Sequence, residues 1–138
     1  MSSTIPKFSS AKLLLPAAIT AVVFLLSTLS PAQPANAKVL RHVVLFKFKD
    51  SATPGQIKQV EDAFRALPSK INFIRDFEWG TNVSLENLNQ GYTHCFFLTF
   101  ASDKDRDAYL VHPAHKEFGK TLTPYLDKVT VVDFWAQK

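Results

Sequence analysis

The segment Tyr109-Leu110-Val111-His112-Pro113-Ala114-His115-Lys116-Glu117-Phe118-Gly119 brings one phenol and two imidazoles around a single proline. Proline disfavours the helical conformation in the residue before it, so a helix ends at His112 and another starts at Pro113. His112 then stands at the cap of the second helix and His115 in its first turn. The positive end of a helix disfavours extra positive charge, which keeps His115 neutral near pH 7. A neutral imidazole accepts a proton, as a general base must. Tyr109 lies on the preceding turn, and the break can fold it back over the same spot. Its phenol can donate a hydrogen bond to a developing oxyanion. His42, on the apolar face of an earlier strand, adds a third polar point.

Two other chemistries fail on spacing. His112 and His115 are three apart, but the proline break spoils the shared helical face that a zinc pair uses. Asp103, Asp105 and Asp107 imitate the opening of a calcium loop, yet its sixth position is Ala108 and its twelfth Ala114. Those aspartates read instead as a favourable acidic start to a helix opened by Ser102. No metal and no cofactor are expected. The single cysteine, Cys95, lies in an apolar strand and reads as a small buried hydrophobe.

The elements that must position these groups follow from hydrophobic period. Val39 to Phe48 alternates, with His42, Val44, Phe46 and Phe48 on one face and Arg41, Val43, Leu45 and Lys47 on the other. Thr53-Pro54-Gly55-Gln56 opens a helix with a capping box, and Ile57, Val60, Ala63, Phe64 and Leu67 continue it until Pro68. Ile71–Trp79 and Tyr92–Phe100 read as strands, separated by a polar connection. A helix from Ser102 to about Leu110, a second to about Leu122 and a strand over Val129–Trp135 complete the chain.

The order is βαββαβ, so an α+β, ferredoxin-like fold with one four-stranded antiparallel sheet is expected. Helices cover one face of such a sheet. The other is rich in Phe and Val, and a lone copy would leave it wet. Two sheets meeting across a two-fold axis remove that problem, so a homodimer with a barrel-like core is expected.

The chain has 138 residues, 46% of them hydrophobic and 20% charged, with a formal charge of +4. This is ordinary globular composition and excludes disordered, collagen-like and polytopic membrane chains. Residues 1–37 carry Lys7 and Lys12, no acid, an apolar run from Leu13 to Leu29 and the ending Ala35-Asn36-Ala37. That pattern is a Sec-type signal peptide cleaved after Ala37, which sends residues 38–138 to the periplasm or the medium. Retention as an uncleaved anchor is the other reading, at the short edge of a bilayer span. After cleavage no stable membrane association is expected. The remaining basic residues are dispersed, which argues against nucleic acid as a partner.

Taken together, His42-Val43-Val44-Leu45-Phe46-Lys47-Phe48, Trp79-Gly80, Gly91-Tyr92-Thr93-His94 and His112-Pro113-Ala114-His115 resemble the stress-responsive dimeric α/β-barrel (Dabb) family over residues 39–136. The resemblance extends to a plant polyketide cyclase of that family. It implies His115 as base for an intramolecular aldol closure, Tyr109 as its assistant, and His42 near the pocket. Val44, Phe46, Phe64, Phe96, His112 and Phe118 are the remaining expected ligand contacts. Glu61 and Arg65 depart from the apolar lining that the resemblance implies, and make a long alkyl tail less welcome. Export also separates the chain from cytoplasmic thioester intermediates. The sequence therefore supports first an exported, dimeric stress-response module that binds a small apolar or aromatic ligand. The alternative is a cofactor-independent cyclase or isomerase that uses His115 and Tyr109.

Overall fold

The computed structural model describes residues 38–137. The expected signal peptide over 1–37 lies outside the described residues. The elements run β1 (Leu40–Phe48), α1 (Pro54–Arg65), α2 (Leu67–Lys70), β2 (Asp76–Thr81), β3 (His94–Phe100), α3 (Asp103–Val111), α4 (Pro113–Leu122) and β4 (Leu126–Trp135). The sheet order is β2-β3-β1-β4 and every pairing is antiparallel. This is the ferredoxin-like α+β fold expected from the sequence.

The first helix forms where the capping box requires. The Thr53 side chain accepts from the Gln56 amide, and the Gln56 side chain accepts from the Thr53 amide. Pro68 does not simply stop it. The helix ends at Arg65, and Pro68 sits in the first turn of the four-residue α2, where its missing N–H costs nothing. Three strand boundaries also differ from expectation. Ile71 and Phe73 precede β2, because Ile71 caps α2 and is buried there. Tyr92 precedes β3 and its hydroxyl accepts from Thr130 Oγ1 at 2.6 Å. The last strand starts at Leu126, because a register shift at Lys47/Phe48 lets Phe48 pair with Leu126.

Alternation along β1 decides the two faces. Leu40, His42, Val44, Phe46 and Phe48 are buried toward the helices. They pack with Val60 and Phe64 of α1, Phe96 and Leu98 of β3, and Phe118 and Leu122 of α4. Phe64 is the hinge of this aromatic cluster, 4.3 Å from Phe96 and 4.5 Å from Phe118 between ring centres. Each such aromatic pair adds about 0.5–1.5 kcal/mol beyond simple burial. On the opposite face, none of the described helices covers Val43, Leu45, Cys95, Phe97, Val132 and Phe134. Val132 and Phe134 are 51% and 43% exposed, which leaves a continuous apolar surface across the sheet.

Candidate functional site

His112 adopts φ −63° and ψ 138°, an extended conformation that its neighbour Pro113 enforces. Its Nδ1 accepts from the Ala114 amide at 3.1 Å and so caps α4. In an unbroken helix, Tyr109 and His115 would point about 120° apart around the axis. The break instead brings their rings to 4.4 Å between centres. Both line a cavity of about 220 Å³ between the helices and the sheet, together with His42, Val44, Phe46, Phe64, Leu110, Phe118, Leu122, Val129, Val131 and Asp133.

Of the residues expected in this site, Tyr109, His115, His42, Val44, Phe46, Phe64 and Phe118 do meet here. Two expected ligand contacts do not. His112 is spent on its cap, and Phe96 is fully buried behind Phe64, stacked against Trp79 at 5.7 Å. Glu61 and Arg65, expected beside the pocket, also lie elsewhere. Glu61 accepts from His94 Nε2 at 2.9 Å, and the Arg65 guanidinium lies over Trp79 at 5.6 Å. Neither lines the cavity, because helical spacing turns Val60 and Phe64 inward and these two charges aside.

The protonation of the pair is set by burial and one hydrogen bond. His115 Nδ1 donates to the Leu110 carbonyl at 3.1 Å, which leaves the Nε2 lone pair uncommitted. Burial holds its pKa below the ordinary 6.5, the Leu110 bond partly opposes this, and nearby His42 adds to it. The neutral state is therefore the one expected at the helix start, with burial as its main cause. Tyr109 is 1% exposed, and burial pushes its phenol well above the ordinary tyrosine range, so it keeps its proton. Its hydroxyl makes no hydrogen bond among the described residues. No described side-chain oxygen or nitrogen is both sealed and unpaired, so that hydroxyl opens to the cavity.

Asp133 is the site residue that sequence reasoning missed. It stands opposite His42 in the β1–β4 register and accepts from His42 Nδ1 at 2.6 Å. An acid inside the apolar run Val129–Trp135 was the available signal, but only the register gave it a partner.

A larger hollow of about 550 Å³ lies on the uncovered side, floored by Leu45, Cys95 and Gly80 and walled by Leu88 and Tyr92. It is roomier but chemically poorer. His94 has both ring nitrogens engaged, with Thr93 and Glu61, and burial pushes the Cys95 thiol up, away from thiolate.

Comparison with known proteins places this geometry. The model of the Dabb family, the stress responsive A/B barrel domain, matches residues 40–136. The stress-response A/B barrel domain-containing protein HS1 of Arabidopsis thaliana is 42% identical over 95 residues, covering 69% of this chain and 87% of that protein. Olivetolic acid cyclase of Cannabis sativa is 31% identical over 99 residues, covering 72% and 98%. Among solved structures, hydroxynitrile lyase from Passiflora edulis superposes with a TM-score of 0.70 at 25% identity, covering 74% of this chain and 96% of that one. A dimeric ferredoxin-like protein of unknown function from Thermobifida fusca superposes with a TM-score of 0.64 at 27% identity, covering 73% and 93%.

Proposed function

Since the chain belongs to the stress-responsive A/B barrel domain family, we propose that it is an exported homodimer whose cavity binds a small apolar or aromatic carbonyl compound and moves a proton on it. One observation carries this reading: a neutral imidazole and a phenol with no hydrogen-bond partner among the described residues line the same open cavity, with ring centres 4.4 Å apart. His115 Nε2 takes a proton from the carbon next to the carbonyl. The Tyr109 hydroxyl donates to the oxygen on which the enolate charge gathers. The enolate then closes onto a second carbonyl or is reprotonated elsewhere, and neither outcome needs an oxidant or a metal. The names of the cyclase and the lyase fit this reading, because closing a ring from an enolate and cleaving a hydroxynitrile both need a base, which takes a proton from carbon in the first case and from the hydroxyl that becomes the carbonyl oxygen in the second.

The cavity is below the roughly 300–1,000 Å³ usual for drug-sized ligands, so the substrate is small. Eight of its twelve lining residues are apolar, which also favours a second reading, uptake of such a compound without turnover. The dimer rests on the uncovered apolar sheet face and on the dimeric neighbour. Export rests on the leader, and mass spectrometry of the mature protein should show Lys38 as its first residue.

The test is substrate-tolerant. The mature protein is incubated in deuterated water with small aryl ketones, and loss of the proton next to the carbonyl is followed by NMR. Native protein should catalyse exchange, and His115→Gln should slow it about 10²–10⁴-fold. Equal exchange by the two proteins, with both folded, overturns the catalytic reading. Ligand-induced shifts at Val44 and Val131 without exchange would establish the uptake reading instead.

A further inference from the structure

Arg106 does not line the cavity, yet its contacts lead into it. It lies on α3, one turn before Tyr109, and is partly buried. Its Nε donates to Asp107 at 2.7 Å, and its Nη1 donates to Asp133 Oδ2. The other oxygen of that carboxylate, Oδ1, accepts from His42 Nδ1. Asp133 is therefore a bridge with one partner on each oxygen. We infer that Arg106 is a positioning residue of the cavity, which fixes His42 through Asp133 so that Nδ1 holds the proton and Nε2 faces the ligand.

Water and Arg106 compete for the Asp133 carboxylate. Asp133 is on the edge strand β4, and its side chain is 27% exposed, whereas that of His42 is 5% exposed. A carboxylate reached by water can rotate and leave a buried imidazole without its acceptor. A planar guanidinium held by Asp107 occupies Oδ2 and leaves Oδ1 directed at the ring. A charge-assisted bond from a buried ring nitrogen then selects the tautomer, because the carboxylate only accepts. His42 Nε2 has no hydrogen-bond partner among the described residues, and the ring lines the cavity. The same strap joins α3, which carries Tyr109, to β4, and so sets the 5.7 Å separation of the His42 and Tyr109 rings.

This inference rests on the cavity described above but not on its reaction, so it is tested by spectroscopy. The Nδ1 proton of His42 should appear at low field in native protein, with ring nitrogen shifts of the Nδ1–H tautomer. In Arg106→Met its exchange with water should become roughly tenfold faster, the scale of one charge-assisted hydrogen bond, and the tautomers should mix. Arg106→Lys, which keeps charge without the fork, should recover part of the protection. The His115 ring signals should stay unchanged in both variants, which separates this role from general loosening of α3. Asp133→Asn is the control that should abolish the signal. Native exchange in Arg106→Met, with loss in Asp133→Asn, overturns the role of Arg106. Native exchange in both variants overturns the Asp133–His42 bond and the inference with it, whereas aryl ketone exchange by the native protein judges the catalytic reading separately.

Discussion

The carbonyl of Leu110, one residue after Tyr109, receives the Nδ1 proton of His115 at 3.1 Å. This contact crosses the break at His112 and ties the end of α3 to the start of α4. It fixes the imidazole, which lines the cavity, with Nε2 left free of this bond, and it does so with backbone, which substitution of side chains leaves in place.

Tyr109→Phe removes only the hydroxyl. The ring packs against Phe100 at 5.2 Å and His42 at 5.7 Å, so the fold should persist. Loss of a preorganised oxyanion donor costs about 10²–10³ in rate. Proton exchange on aryl ketones should fall by that order while ligand-induced NMR shifts remain. Unchanged exchange would remove the phenol from the chemistry.

The pH profile follows from the two shifts. His115 is depressed below 6.5, so the rate should rise with pH along an acid limb lying below that value and then level off. Tyr109 is raised, so no alkaline limb should appear until beyond the ordinary tyrosine value of 10. Stability carries the same sign for His115. Its folded value is lower than its unfolded one, so the unfolded chain binds the proton first as pH falls. The stabilisation is complete above 6.5 and is lost as pH falls through the depressed value. Urea melts at stepped pH, compared with His115→Gln, read this difference directly.

Phe64→Ala should be the most damaging core change near the site. Phe64 is 1% exposed and contacts Phe46, Phe77, Phe96 and Phe118. Truncating a buried phenylalanine costs about 3–5 kcal/mol, a large part of a domain's stability. Urea unfolding should show it, and Phe64→Leu should recover most of the loss.

Val132→Asp places a charge on the uncovered face of β4, where Val132 pairs with Val43. It touches neither the cavity nor the helices. Light scattering should report the mass of two chains for the native protein and one for the variant, with unchanged circular dichroism. A native mass of one chain would remove the basis of the proposed dimer.

Much of this protein was legible before its structure. The capping box at Thr53, the break at His112-Pro113 and the alternation of β1 are local signals, and each produced the element it implied. Boundaries slipped where a short-range pattern met a longer-range one. Ile71 and Phe73 look like the start of a strand, but the turn of α2 takes Ile71 into the core first. Likewise Glu61 and Arg65 looked like neighbours of the cavity, because helical spacing alone does not say which flank of α1 meets β3.

The sequence by itself determined the order of elements, the helix break and the presence of a phenol and imidazoles on either side of it. These depend on backbone preferences and periodicity, which act within a few residues. Only the tertiary structure decided that Asp133, ninety-one residues after His42, holds that ring, and that His112 serves the backbone while His115 faces the cavity. Strand register and helix docking fix those relationships, because residues distant in the chain become neighbours only when the sheet and its cover close around a common core.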